Sequence, residues 1–303
     1  MSFVDADPRS HLTSLGPSAK AATSYGEASY SKYYESDPQI AEELERSWVA
    51  RAQNFVVVYS MLRSGAVLER LGEADEYFLL APELSASMHV RAGGESIDLT
   101  GATVSIIPPG DSSIEFLCDA TVARVFTSRA LDLCSLSSNA RAYDSPAPNL
   151  APLEDWPEPV GGYRTRVYDL DVPVDSARFG RIWRSRCLMI NYSYPRPGPR
   201  DVRKMSPHTH DDFEQGSLCL SGTFVHHLRW PWSTDARLWR EDTHEICAGP
   251  SLAIIPSLVL HTSQQCGVDV NQLVDIFAPP RVDFSSQVGW VLNADDYPVR
   301  AVV

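Results

Sequence analysis

Two stretches decide how this chain is read: Pro207-His208-Thr209-His210-Asp211-Asp212-Phe213-Glu214, and further on Ile254-Ile255-Pro256-Ser257-Leu258-Val259-Leu260-His261. His208, His210 and Glu214 are spaced by two and four residues, both even numbers. In an extended segment side chains two apart share a face, so this spacing predicts two imidazoles and a carboxylate pointing into one cavity. Such a facial set suits Fe(II), Mn(II), Ni(II) or Zn(II) and leaves coordination positions open. His261 supplies a fourth donor from beyond the Ile254–Pro256 run. Burying these groups without a metal would strand polar atoms.

Outward from these stretches the texture is that of strands. Short apolar runs at Phe55–Tyr59, Glu76–Leu80, Ser87–Val90 and Val104–Ile107 alternate with Gly, Pro and charged residues. The pattern resumes at Tyr163–Tyr168, Cys187–Tyr192, Ser217–Leu220, Thr223–Leu228, Leu252–Ile255 and Gln272–Phe277. Between them, residues 137–162 are proline-rich and aperiodic, which predicts a linker. Residues 1–53 are expected to form an irregular arm followed by a short helix. That helix is predicted from Asp37-Pro38 as its start, with Ile40, Leu44, Trp48 and Val49 on one stripe, ending near Ala52.

The two halves repeat. Arg70-Leu71-Gly72 and the following Glu76-Tyr77 lie 138 positions before His208-Thr209-His210 and Glu214-Gln215. Ile106-Ile107-Pro108 lies 148 positions before Ile254-Ile255-Pro256. The difference predicts one local insertion in the second half, placed in the Trp230 to Trp239 stretch. A duplication is the simplest account. In the first copy Arg70, Gly72 and Ser113 stand where the second has its three histidines, and Glu76 alone persists. That copy, residues 54–136, is expected to be metal-free, with Arg70 and Glu76 pairing in its interior. Residues 163–303 are expected to hold the metal.

These residues resemble the cupin superfamily, whose first motif is G(X)5HXH(X)3–4E(X)6G and whose second is G(X)5PXG(X)2H(X)3N. His208, His210 and Glu214 match the ligands of the first motif, and Gly222 stands near its closing glycine. Pro256 and His261 keep the spacing of the second. Leu258 replaces the glycine after the proline, Gln265 replaces the final Asn, and the leading glycines are displaced. The resemblance implies an all-β bicupin of two tandem jelly-roll-like barrels, with one divalent metal on His208, His210, Glu214 and His261.

The reading of function starts from that site. Fe(II) is the favoured ion, with Mn(II), Ni(II) or Zn(II) as alternatives. The expected activity is a non-heme iron dioxygenase acting on a small carboxylated, dicarbonyl or aromatic substrate. A metal-dependent isomerase, lyase or cyclase is the alternative, and a non-enzymatic small-molecule binder is a third reading. His226, His227 and Gln272 are the expected catalytic or second-sphere groups, with Asp275 the other polar residue on the Gln272 strand. Arg229, Trp230, Trp232 and Tyr192 are the expected substrate-binding residues. The sequence shows no GxSxG elbow, P-loop or GxGxxG, and the cysteines lack zinc-finger spacing.

Composition bounds the partners. With 26 Lys+Arg against 39 Asp+Glu the net charge is −13, which argues against a broad nucleic-acid footprint. The excess is uneven: residues 1–160 hold 11 basic and 23 acidic residues, and residues 161–303 hold 15 and 16. A small anionic substrate at the second copy therefore stays compatible with the charge. Six scattered cysteines and a polar N-terminus suggest a cytoplasmic protein with reduced thiols, acting as a monomer or homodimer and not inserted in a membrane.

Overall fold

The computed structural model describes residues 25–233 and 235–300. In its first half the strands are β1 (Ser29–Lys32), β2 (Ile40–Ala41), β3 (Glu45–Arg51), β4 (Phe55–Leu62), β5 (Val67–Glu73), β6 (Tyr77–Ala81), β7 (Ser87–Ala92), β8 (Glu95–Thr100), β9 (Thr103–Ile107), β10 (Gly110–Phe116) and β11 (Ala120–Thr127). The second half carries β12 (Arg166–Asp169), β13 (Arg181–Arg184), β14 (Met189–Tyr192), β15 (Arg196–Pro197), β16 (Gln215–Ser221), β17 (Thr223–Arg229), β18 (Thr243–Ala248), β19 (Ser251–Ile255), β20 (Leu260–Gln265) and β21 (Val270–Phe277). The α-helices among the described residues are α1 (Leu131–Leu136) and α2 (Val282–Ser285). None is long and apolar enough to cross a membrane.

The chain is all-β and forms two barrels. One large sheet runs β12-β9-β6-β11-β4-β3-β2 and faces the smaller sheet β5-β10-β7-β8. The other runs β1-β19-β16-β21-β14-β13 and faces β18-β17-β20. Strand alternation lets each large sheet serve two cores. In β6, Phe78 and Leu80 join the core between the barrels, while Tyr77, Leu79 and Ala81 fill the first barrel. In β21, Val274 and Ile276 join the shared core, whereas Phe277 lies in a cluster of the second barrel.

Register supports the duplication. Tyr77 pairs with Ile107 and Gln215 pairs with Ile255, so both aligned segments meet their aligned partners. The insertion falls where expected: Gly93-Gly94 closes the β7–β8 hairpin, whereas β17 and β18 are joined by the longer segment containing Trp230 and Trp239.

Three expectations are corrected. The helix ending near Ala52 is strand: β3 pairs with β4 from Glu45 to Arg51. Trp48 and Ala50 enter the shared core, Val49 enters the first barrel, and Leu44 is exposed. A strand buried on both faces is apolar without alternation, which imitates a helical stripe. Nor do the boundaries at 53 and 163 follow the sheets. The arm strand β1 pairs with β19 of the second barrel, and β12, beyond the linker, pairs with β9 of the first. Each barrel thus takes an edge strand from the segment preceding the other, which covers an edge that would otherwise be open. Arg70 and Glu76, finally, do not pair: Arg70 bonds Glu73 at 2.7 Å and Asp132 at 2.6 Å.

Candidate metal centre

The two sequence stretches meet through the backbone. His208 N–H donates to the His261 carbonyl at 3.0 Å and His261 N–H returns the bond to His208 at 2.9 Å. Leu258 N–H donates to the His210 carbonyl at 2.6 Å. Leu258 holds φ 65°, the left-handed conformation that glycine adopts at low cost. Its counterpart in the repeat, Gly110, holds φ 98°. The turn is therefore kept in the second barrel although the glycine is not.

These tethers bring the three imidazoles together. Ring centroids lie 4.4 Å apart for His208 and His261, and 4.9 Å apart for His210 and either partner. One ligand atom from each lies within 4.8 Å of the others. His208 Nδ1 sits 2.9 Å from the Ser206 carbonyl and His261 Nδ1 2.9 Å from the Val259 carbonyl. A carbonyl only accepts, so each Nδ1 carries the hydrogen and each Nε2 presents a lone pair, the arrangement usual behind metal-bound histidine. His210 and His261 are buried and His208 is half-buried. Phe213 stacks on His210 at 4.5 Å, and Phe277 meets it edge-on at 6.1 Å. Arg281 lies over Phe284, Phe277 and Phe213 behind them. Burial first, then this guanidinium, hold His210 well below its ordinary pKa.

Glu214 is not part of the cluster. Its carboxylate reaches across to the first barrel, accepting from Gln53 N–H at 2.7 Å and from the Tyr143 hydroxyl at 3.0 Å. Glu76 mirrors it, accepting from the Tyr297 hydroxyl at 2.7 Å and Arg186 N–H at 3.3 Å in the second half. The glutamate shared by both copies is thus a strut between barrels, and burial raises the pKa of both carboxyls. The parity argument fails because the chain bends at Asp211 and Asp212 before β16 begins. Gln215 takes the inward place: its Oε1 lies 2.8 Å from His210 Nε2. Its Nε2 donates to Ser217 Oγ at 2.9 Å and to Asp275 Oδ1 at 3.1 Å, so Oε1 faces His210 and accepts from His210 Nε2, which carries the hydrogen. Asp275 also accepts from Asn191 Nδ2 at 3.1 Å. The longer spacing allowed in the first motif was the available signal for Gln215.

The remaining expected residues divide. His226 is buried, with Nδ1 2.9 Å from Ser263 Oγ. Burial, with His261 and His227 nearby, pushes its pKa down to about 3. His227 faces the other way, bonding His244 and Gln264. Gln272 shares the Val274 face of β21 and donates to the Ser193 carbonyl at 2.8 Å, so Asp275 is the inward polar residue of that strand. Tyr192 lies in the core between the barrels under Arg181. Arg229, Trp230 and Trp232 line a cleft of about 940 Å³ with Thr209, Leu258 and Trp239. Thr209 stands between His208 and His210, so this cleft abuts the motif. Arg229 is exposed and paired to Asp242 at 2.7 Å; Trp232 is 74% exposed and stacks on Trp239 at 4.4 Å.

The first barrel contrasts at each position. Tyr77, aligned with Gln215, stacks on Phe126 at 4.5 Å and bonds Ser112 at 2.8 Å. Val56, Val58, Leu79, Met88 and Phe116 fill the remaining interior. A second group with ligand-like spacing, Asp75, Asp155 and Cys187, already holds a cation: Arg129 bonds both carboxylates at 2.8 Å.

The same architecture occurs in solved structures. The oxalate decarboxylase–formate complex of Lactobacillus farciminis superposes with TM-score 0.52 at 12% identity, over 85% of this chain and 88% of that one. AerE from Microcystis aeruginosa gives 0.51 at 11%, covering 84% and 99%. Protein Ylba from E. coli gives 0.52 at 13%, covering 86% and 95%. This chain has the bicupin fold. No protein-family model matches the sequence, and no curated protein does either. At these identities the likeness concerns the fold alone, and the bicupin's chemistry has to come from its own site. At that site the expected carboxylate, Glu214, points to the first barrel, and the Gln215 amide stands beside His210.

Proposed function

We propose that the second barrel is a metal-dependent catalytic site for a small anionic molecule with oxygen donors, the metal being held by His208, His210 and His261 with Gln215 positioning His210. The observation that carries this reading is the donor set itself: three imidazoles converge in a buried cup, with the Gln215 amide bonded to one of them and no carboxylate among them. A divalent ion there keeps its full charge, which an anionic substrate oxygen offsets better than a neutral one. When bound, the ion supplies Lewis acidity toward a carbonyl or enolate and, as Fe(II), redox chemistry with dioxygen. The protein's own part is to fix the imidazoles through the Ser206 and Val259 carbonyls, to aim Gln215 through Asp275 and Ser217, and to exclude water with Phe213 and Phe277.

Iron-dependent dioxygenation of a carboxylated, dicarbonyl or aromatic substrate is the first reading of the reaction. Gln215 supports a second: without a carboxylate ligand the metal polarises a bound carbonyl more strongly, which favours a non-redox isomerase, lyase or cyclase. His226 is the proposed polar group beside the cup. Its partner is the small-molecule substrate, and the chain acts as a monomer or homodimer.

The test loads the protein with Fe(II), Mn(II) or Zn(II) and follows metal content, oxygen uptake and consumption of oxalate, 2-oxoglutarate, acetylacetone and catechol. Stoichiometric metal and metal-dependent consumption of one substrate class support the reading. Protein that binds no divalent metal, or turnover unchanged by His208→Ala and His261→Ala, overturns it. Equal rates with and without oxygen select the non-redox reaction.

A further inference from the structure

The arm strand β1 does more than cover a sheet edge. Tyr30 pairs in register with Ala253 of β19, and its ring lies 6.4 Å from that of His226. His226 in turn pairs with Ser263, two residues beyond the ligand His261 on β20. Residues two apart on a strand share a face and are separated by about 6–7 Å, so His226 stands one rung deeper in the barrel than the metal ligand. Its Nδ1 is held at Ser263 Oγ. Its Nε2 is shut from solvent and has no hydrogen-bond partner, and the same is true of the Tyr30 hydroxyl. Buried polar atoms in native proteins are nearly always satisfied, and two orphans on facing rings mark a place where something else completes them.

We propose that Tyr30 and His226 form an inner subsite that binds a hydroxyl group of the substrate; the inference rests on the metal reading above, since the opposite end of that molecule occupies the His208–His210–His261 cup. A hydroxyl both donates and accepts, so it satisfies a phenol and an imidazole together whichever ring nitrogen of His226 carries the hydrogen. The substrate class is therefore a small hydroxylated carboxylate or enolate, with its hydroxyl about 6–7 Å from the metal-binding oxygens. The first barrel lacks this pair: Val90, the residue aligned with Leu228 two places beyond His226, and Met88, aligned with His226 itself, are both in its apolar interior.

The experiment uses the full chain loaded with Co(II), whose visible absorption reports carboxylate binding, titrated with butyrate and with 4-hydroxybutyrate. The wild-type protein is expected to prefer the hydroxylated probe by about five-fold or more, the yield of one to two neutral hydrogen bonds. Tyr30→Phe and His226→Phe each bring the two affinities toward parity while leaving Co(II) stoichiometry and the ligand-free spectrum unchanged. Tyr30→Phe removes one oxygen only and guards against a folding defect in His226→Phe. Equal binding of the two probes by cobalt-loaded wild type, or a preference that survives both substitutions, overturns the subsite while the metal reading stands. Failure of the wild-type chain to take up Co(II) overturns both.

Discussion

The two barrels share a backbone plan and differ in what fills them. In the second, the inward positions carry His208, His210, His261 and Gln215; in the first, the aligned positions carry Arg70, Gly72 and Tyr77, and a bulge before Ser112 sets that residue, not the expected Ser113, opposite Arg70. The Arg70 guanidinium lies over Phe126, on which Tyr77 stacks, and the interior is closed by packed apolar side chains. One copy has spent its interior on packing, and the other keeps polar groups buried that packing alone would disfavour. What the copies retain in common is the surface between them, including the mirrored Glu76 and Glu214 struts. A duplicated residue therefore marks shared architecture here, and the residues that differ mark chemistry.

The sharpest break in this comparison is to empty the packed barrel. Phe126→Ala is expected to lower unfolding free energy by about 3–5 kcal/mol, measured by denaturant titration, while the folded protein binds metal as before. A drop in metal affinity would show that the first barrel takes part in the site. Next in size, His261→Ala should weaken metal binding by more than about 100-fold, beyond the 10–100-fold typical of an outer partner, whereas Ser113→Ala should leave metal content untouched. Metal analysis after dialysis against a chelator reads both.

The adjacent pair at the bend sharpens the comparison further. Gln215→Ala is expected to reduce metal affinity by about 10–100-fold. Glu214→Ala should leave affinity alone and cost about 1–3 kcal/mol of stability, because Gln53 N–H and the Tyr143 hydroxyl lose their acceptor. The reverse pattern would restore Glu214 as a ligand. The smallest effect belongs to the turn: Leu258→Gly relieves left-handed strain but loosens the unfolded chain, leaving a net stability change under about 1 kcal/mol. A loss above about 2 kcal/mol would show that the leucine side chain holds the adjoining cleft.

Much of the fold was legible because strand periodicity is local. The runs at Phe55–Tyr59, Val104–Ile107 and Leu252–Ile255 fall within β4, β9 and β19. The exception, β3, misled because both of its faces are buried, and burial is a property of neighbours. Among the site residues, the histidines were legible from spacing. Gln215 was not, since a bend of two residues moved the inward position from Glu214 to its neighbour. Gln272 and Tyr192 were placed by strand membership, yet which face of a strand looks into the barrel depends on register, and both fall on the outer face. Tyr30 gave no signal at all: its strand crosses to the other barrel.

By itself the sequence determined the all-β texture, the duplication, the loss of histidines from the first copy and their survival in the second, because each is a pattern of residue types along the chain. Only the tertiary structure decided which carboxylate is a strut, which amide faces the histidines and which arm residue lies beside His226. Those depend on bends, sheet faces and exchanged edge strands, and so on contacts between residues far apart in the chain, such as Gln53 with Glu214 or Glu76 with Tyr297.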